Sequence, residues 1–164
     1  PFHLAHQIDF DLNELGDISD WQAEWKWDGI RAQIIKRADQ VFIWSRGEDL
    51  MTERFPEIAK AAEFLPNGTV LDGEVLPWMN DKVLPFTELQ KRIGRKNLTA
   101  KILSEVPVIL QTYDLLEYEG RDVRSLEIYV RREFMEKTIA ALPDEARHIF
   151  RPTELVEAAD WTDL

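Results

Sequence analysis

Chemical potential in this chain is concentrated in Lys26-Trp27-Asp28-Gly29-Ile30-Arg31. A lysine stands two residues before an Asp-Gly turn, and an arginine follows three residues after the aspartate. In an extended segment, alternation places Glu24, Lys26 and Asp28 on one side and Trp25 and Trp27 on the other. That pattern predicts an amine held at a site beside heavy apolar surface. Lysine is a nucleophile only when neutral, and free lysine titrates near ~10.4, so burial or neighbouring positive charge has to favour the neutral form. Arg31 and Arg46 offer such charge, and each also offers a planar fork for phosphate oxygens. Asp28 and Glu74 oppose it unless a divalent cation or substrate groups stand between them and the lysine. Glu74 alternates with Asp72 among Val70, Leu71, Val75 and Leu76, and an acid in so apolar a stretch needs a partner.

These residues have to be positioned by short strands and helices. Residues 21–27 alternate as a strand, and Asp28-Gly29 turns the chain. Residues 31–37 and 40–46 read as two further strands joined near Ala38-Asp39. Pro56 starts a short helix whose Ile58, Ala61, Ala62 and Leu65 share a face, and Pro66-Asn67-Gly68 stops it. Residues 69–76 form a strand. Residues 86–93 form a helix with Phe86, Leu89 and Ile93 inward. Residues 107–116 form a long apolar strand, followed by a turn at Glu119-Gly120-Arg121. Ser125 is expected to cap a helix to about Leu142, with Leu126, Tyr129, Val130 and Phe134 as its apolar stripe. A last strand is expected at 147–151, and another helix from Glu154. Without regular βαβ alternation, the expectation is an α+β domain with mainly antiparallel sheets flanked by helices.

Composition narrows the class. At 164 residues with 45% hydrophobic content and six tryptophans, the chain can bury a real core and is not disordered. It has no cysteine, so a disulfide framework and a thiolate metal site are both excluded. His3, His6 and His148 lack zinc-site spacing and receive no role. No apolar run approaches the ~20 residues needed to span a bilayer, and no basic-then-apolar leader opens the sequence. A cytoplasmic protein without a membrane partner is expected. The net charge of −11 argues against nucleic acid when taken globally. Residues 91–101 differ, with five basic residues and no acid. Such a run is a solvated face or tracks a phosphate backbone.

Four motifs in order resemble the covalent nucleotidyltransferases: ATP-dependent DNA ligases, RNA ligases and mRNA capping enzymes. Residues 26–31 match the lysine, any residue, Asp-Gly, any residue, arginine pattern of their first motif. Ser45-Arg46-Gly47, Leu71-Asp72-Gly73-Glu74 and Tyr113-Asp114-Leu115-Leu116 are similar to the next three. The flanking runs, Glu24 to Gly29, Trp-Ser-Arg-Gly-Glu at 44–48 and Leu-Gln-x-Arg-Ile-Gly-Arg-Lys at 89–96, are in the style of bacterial ATP-dependent DNA ligases. The resemblance implies their adenylation-domain fold, which is ATP-grasp-like. It also implies that Lys26 takes AMP from ATP, that Glu24 recognises adenine with Trp25 nearby, and that Arg31 and Arg46 meet phosphate or sugar. Glu74 is expected at the ribose and the metal (Mg2+, with Mn2+ as the alternative), Tyr113 stacks on the base, and Arg92, Arg95 and Lys96 contact DNA.

The implied partners are ATP and nicked double-stranded DNA, acted on by a monomer. The family's glutamate-glycine and second lysine motifs are not found before Leu164. Residues 1–164 therefore read as a partial adenylation domain without its last part or the small OB-fold domain that follows. Two alternatives stand beside this reading: an RNA ligase or capping-type enzyme, and an ATP- or DNA-binding piece that does not react. Taken singly, the same residues have plainer readings. Lys26 suits a hairpin, Arg46 a surface cation, Asp72-Gly73 a turn or bulge, and Tyr113, Trp25 and Trp27 a core.

Overall fold

The computed structural model describes residue 2 and residues 6–164, so His3 lies outside the described residues. The chain divides into two compact units, 27–152 and the pair of segments 1–26 and 153–164.

The larger unit is built on seven strands: β1 (Ile30–Arg37), β2 (Gln40–Ser45), β3 (Thr69–Met79), β4 (Lys82–Val83), β5 (Val108–Tyr118), β6 (Arg121–Asp122) and β7 (Phe150–Pro152). They order as β2-β1-β3-β5-β6, with β4 on β3 and β7 on β5. All pairings are antiparallel except β5 with β7. The β1–β2 hairpin turns at Ala38 and Asp39, both at positive φ (49° and 60°). Such a turn matches strand twist but costs an alanine steric strain. Asn67 offsets this by accepting from Asp39 N and donating to Asp39 Oδ1, each at 2.8 Å.

Alternation divides the sheet into two faces. Ala32, Ile34, Ile43, Leu71, Val75, Leu110 and Leu115 join the core. Packed with them are Ile58, Ala61 and Ala62 of α1 (Pro56–Ala62), Leu89 of α2 (Phe86–Ile93), and Met135 and Ile139 of a helix at Ile128–Ala140. Each of the Val, Leu, Ile and Met side chains among them contributes about 1.5–3 kcal/mol on full burial. A six-residue α3 (Ala100–Glu105) precedes β5, and Ile128–Ala140 (α4) is followed by α5 (Asp144–Arg147). No helix of the described residues is long and apolar enough to cross a membrane.

Strands and helices expected at 31–37, 40–46, 69–76, 86–93 and 107–116 are present within a few residues of those bounds. Helix α4 departs from expectation. It starts at Ile128 behind Glu127, without a side-chain cap. Ser125 sits in the preceding turn, where Leu126 N donates to Val123 O at 2.9 Å. Of the expected stripe, Leu126 and Tyr129 are exposed, Val130 is half-buried and Phe134 packs against the core; the fully inward residues are Met135, Thr138 and Ile139. The helix is oriented by Arg131, whose guanidinium forks onto Asp114 of β5.

The smaller unit contains two 3-10 turns, Leu12–Leu15 and Ile18–Asp20. Asp11 and Asp17 cap them, and the backbone N–H groups they accept from hold both carboxyls below the usual carboxylate range. The strand expected at 21–27 is reduced to one bridge, Glu24 with Leu155. The helix expected from Glu154 is also absent: the segment is extended, then closes in a turn at 161–163. Asp160 Oδ1 accepts from Thr162 N and Asp163 N, an aspartate turn that competes with helix formation.

Arg92 is fully buried in the larger unit. It forks onto Glu57 at 2.5 and 2.6 Å and donates to Val106 O and Arg54 O. Removing one partner from such a pair strands the other charge. Arg92→Ala is expected to lower unfolding free energy by about 3–5 kcal/mol in urea titration. A loss below about 1 kcal/mol, the range of surface pairs, would contradict this role.

Candidate functional site

In the larger unit Arg31, Glu74 and Tyr113 gather on the sheet face opposite the helices. The register pairs Arg31 with Glu74 and Gln33 with Asp72 across β1 and β3. Arg31 Nε and Nη2 donate to the two carboxylate oxygens of Asp72 at 2.8 and 2.9 Å. Asp72 is 4% exposed and the Arg31 side chain 26%. Burial works against the Arg31 cation, but the Asp72 hydrogen bonds and the nearby Asp72, Tyr113 and Glu74 charges outweigh it and raise its pKa. Arg31 is therefore a fixed positive charge, most of whose fork is engaged by Asp72.

Tyr113 owes its place to an irregularity in β5. Asp72 pairs with Asp114 and Gly73 with Thr112, so Tyr113 is an extra residue opposite the junction. Bulges of this kind re-aim a side chain, and here the Arg31 guanidinium carbon lies 4.6 Å over the centre of the Tyr113 ring. Gly73 allows the close approach of β5: a Cβ there would lie 2.4 Å from Gln111 O. Of the plain readings of Asp72-Gly73, a turn or a bulge, the structure has the second: the pair lies inside β3 at a register shift against β5.

Glu74 is half-buried, and its Oε1 accepts from Gly29 N at 3.2 Å. The backbone at Gly29 runs so close to β3 that a Cβ would come within 2.3 Å of Val75 O. The glycine of the first motif is thereby needed for packing, at a bend just before β1. Arg46 is exposed in the loop after β2, and its N–H donates to Arg31 O at 3.0 Å. Ser45 closes that loop, its Oγ accepting from Asp49 N and its N–H donating to Asp49 O.

Lys26, Glu24 and Trp25 belong to the smaller unit. Lys26 is exposed, so the enclosure that alternation suggests for its amine is not met. Trp25 is 64% exposed and is not core. Trp27, in the larger unit, is half-buried, short of the core position of its plain reading. Glu24 is half-buried, and its carboxylate accepts from Gln22 Nε2 at 2.6 Å.

The basic run divides by burial. Arg95 and Lys96 are exposed, whereas Arg92 has no exposed surface and is withdrawn from the candidate DNA contacts. The signal was available, because Arg92 follows the inward-facing Leu89 by three residues. Asp72 and Arg131 were not singled out as anchors by sequence. A separate cavity of about 500 Å³ is lined by Trp78, Leu103, Val108, Ile109 and Ile149 among others, and by none of the candidate residues. Its walls are mainly apolar, with Glu57, Lys60, His148 and Arg151 as their polar members.

A sequence profile of the family described as "ATP dependent DNA ligase domain" matches residues 3–162. A probable DNA ligase of Opitutus terrae is 42% identical over 120 residues, covering 73% of this chain and 12% of that protein. A probable DNA ligase of Koribacter versatilis is 47% identical over 96 residues, covering 58% and 17%. The chain thus spans less than a fifth of the length of these two relatives. Among solved structures, a mycobacterial DNA ligase D complexed with ATP and MES superposes with a TM-score of 0.69 at 26% identity, over 90% of this chain and 44% of that one. The ligase domain of M. tuberculosis LigD gives 0.69 at 27% identity over the same shares.

Asp72→Asn is expected to cost about 2–3 kcal/mol in urea unfolding, on the low side for a broken buried pair because Arg31 keeps some solvent contact. An unchanged midpoint would show that Asp72 does not hold Arg31.

Proposed function

Because the chain belongs to the family of ATP-dependent DNA ligase domains, we propose that it carries the nucleophile and the nucleotide-binding face of an adenylating DNA-joining enzyme. The observation that carries this reading is the meeting of Arg31, Glu74 and Tyr113 on three neighbouring strands. They come from three of the four ordered motifs, and a purely structural role for each does not explain their clustering.

In this reading the neutral amine of Lys26 attacks the α-phosphorus of ATP. A P–N bond forms, the bond to the bridging oxygen breaks, and pyrophosphate leaves with the electron pair as the amine sheds a proton. The AMP then passes to a 5′-phosphate at a nick in duplex DNA, and a 3′-hydroxyl displaces it to seal the strand. Tyr113, braced by Arg31, is the stacking platform for adenine. Glu24, oriented by Gln22, accepts from the base's amino group, and Trp25 covers the nucleotide beside it. Arg46 meets phosphate, and Glu74 meets the ribose. Positioning and charge neutralisation supply most of the barrier reduction in such transfers.

Mg2+, or Mn2+ in its place, neutralises phosphate charge, and Glu74 is the carboxylate assigned to it. No group of three His, Cys, Asp or Glu able to hold a metal ion occurs among the described residues. A Mg2+ there would be held by one or two carboxylates together with the substrate's own phosphates. The reading includes a monomer working in the cytoplasm.

The test is incubation with α-labelled ATP or GTP and Mg2+. Label from ATP should become covalent, be lost in acid and survive base, and be absent from Lys26→Ala. Lys26→Arg should fail as well, since a guanidinium stays protonated. Preference for GTP would favour the capping-type alternative. Nucleotide binding without any label would favour a non-reacting piece, and full labelling of Lys26→Ala would overturn the reading.

Arg95→Ala and Lys96→Ala are expected to weaken binding to nicked duplex DNA uniformly across sequences. Each phosphate left without its cation should reduce the salt slope of log K by about one. An unchanged affinity and slope would remove these residues from the interface.

A further inference from the structure

Glu24 and Lys26 lie in a stretch that forms no sheet of its own. Between residues 21 and 28 the single bridge is Glu24 with Leu155. Beside it, Val156 N donates to Ala23 O at 2.9 Å. A second anchor lies further along the same late segment. Trp161 Nε1 donates to Gly16 O at 2.8 Å, and its ring meets Trp21 edge-on with centroids 6.2 Å apart. Trp21 Nε1 in turn donates to Leu15 O at 2.9 Å. The late segment holds its own shape through Asp160 and through Asp163 Oδ2, which accepts from Ala159 N at 3.0 Å. The backbone from Gly16 to Glu24 is thus fastened near both ends by residues 155–161. An isolated two-strand contact is marginal in water, which is why the tryptophan anchor matters.

We propose that residues 153–164 are a positioning strap for the nucleotide contacts, with Val156 and Trp161 acting through Ala23, Glu24 and Gly16. The proposal rests on the reading of Glu24 as the adenine contact and Lys26 as the nucleophile. The strap fixes the backbone from which the Glu24 side chain projects, two residues before Lys26. Gln22 completes the arrangement by holding the Glu24 carboxylate from within the same stretch. Misplacement of a positioned group by about 1 Å can cost on the order of 100-fold in rate. Discrimination between adenine and guanine depends on where one carboxylate sits, so it should respond to the strap before overall binding does.

The experiment uses the full chain with three substitutions. Val156→Pro removes the N–H that bonds Ala23, Val156→Ala keeps it, and Trp161→Ala removes the second anchor. The readout is the ratio of kcat/KM for labelling by ATP over that by GTP. The expected result is a fall in this ratio of about tenfold for Val156→Pro and severalfold for Trp161→Ala, with Val156→Ala near the parent value. Simple loss of folded protein lowers both nucleotides together and leaves the ratio alone, so an unchanged ratio in Val156→Pro overturns the strap. If the parent chain takes label from neither nucleotide, the adenylation reading fails separately. The strap is then judged by amide hydrogen exchange over residues 16–26. Faster exchange in Val156→Pro than in Val156→Ala, with β3 and β5 unchanged, supports it, and equal exchange overturns it.

Discussion

The fork between Arg31 and Asp72 is the constraint on which the site face depends. Two opposite charges are placed where β1 and β3 cross the centre of the sheet, and Asp72 is almost without solvent. Buried charges of this kind are tolerable only when both are paired with good geometry. The bidentate contact meets that demand and orients the Arg31 side chain over the Tyr113 ring. The adjoining bulge in β5 and the absence of a side chain at Gly73 are what let the ring arrive there. Charge pairing, strand register and aromatic placement are thus one arrangement.

Arginine–carboxylate forks recur as fasteners elsewhere in the larger unit. Arg92 ties α2 to Glu57 of α1 and to the carbonyl of Val106 at the end of α3. Arg131 ties α4 to Asp114, the neighbour of Tyr113. These contacts add direction to a core whose aliphatic packing is otherwise non-directional. The helices hold one face of the sheet, and the charged side chains of the opposite face remain organised without being covered by those helices.

Legibility in the sequence followed the range of the interactions. β1, β2 and α2 were readable because alternation, helical periodicity and hairpin residues are local. Glu74 and Arg31 were singled out by sequence, but the partner of Arg31 was not, since Asp72 is identified only by strand register. The stretch 21–27 failed as a strand because its partner is Leu155, near the other end of the chain. The expected tail helix failed because Asp160 offers the backbone a competing turn. Trp25 was expected inside on alternation alone, yet alternation has no consequence where no sheet forms to bury one face. The α4 start was misplaced because Arg131, anchored to Asp114, decides which face turns inward rather than the more apolar early turn.

The central claim is that the chain's nucleotide chemistry passes through a single amine, that of Lys26. Tandem mass spectrometry of peptides from the chain after exposure to ATP and Mg2+ tests it most directly. The predicted result is one adenylate per molecule, localised to Lys26. An adenylate on another lysine, with Lys26 unmodified, would contradict it.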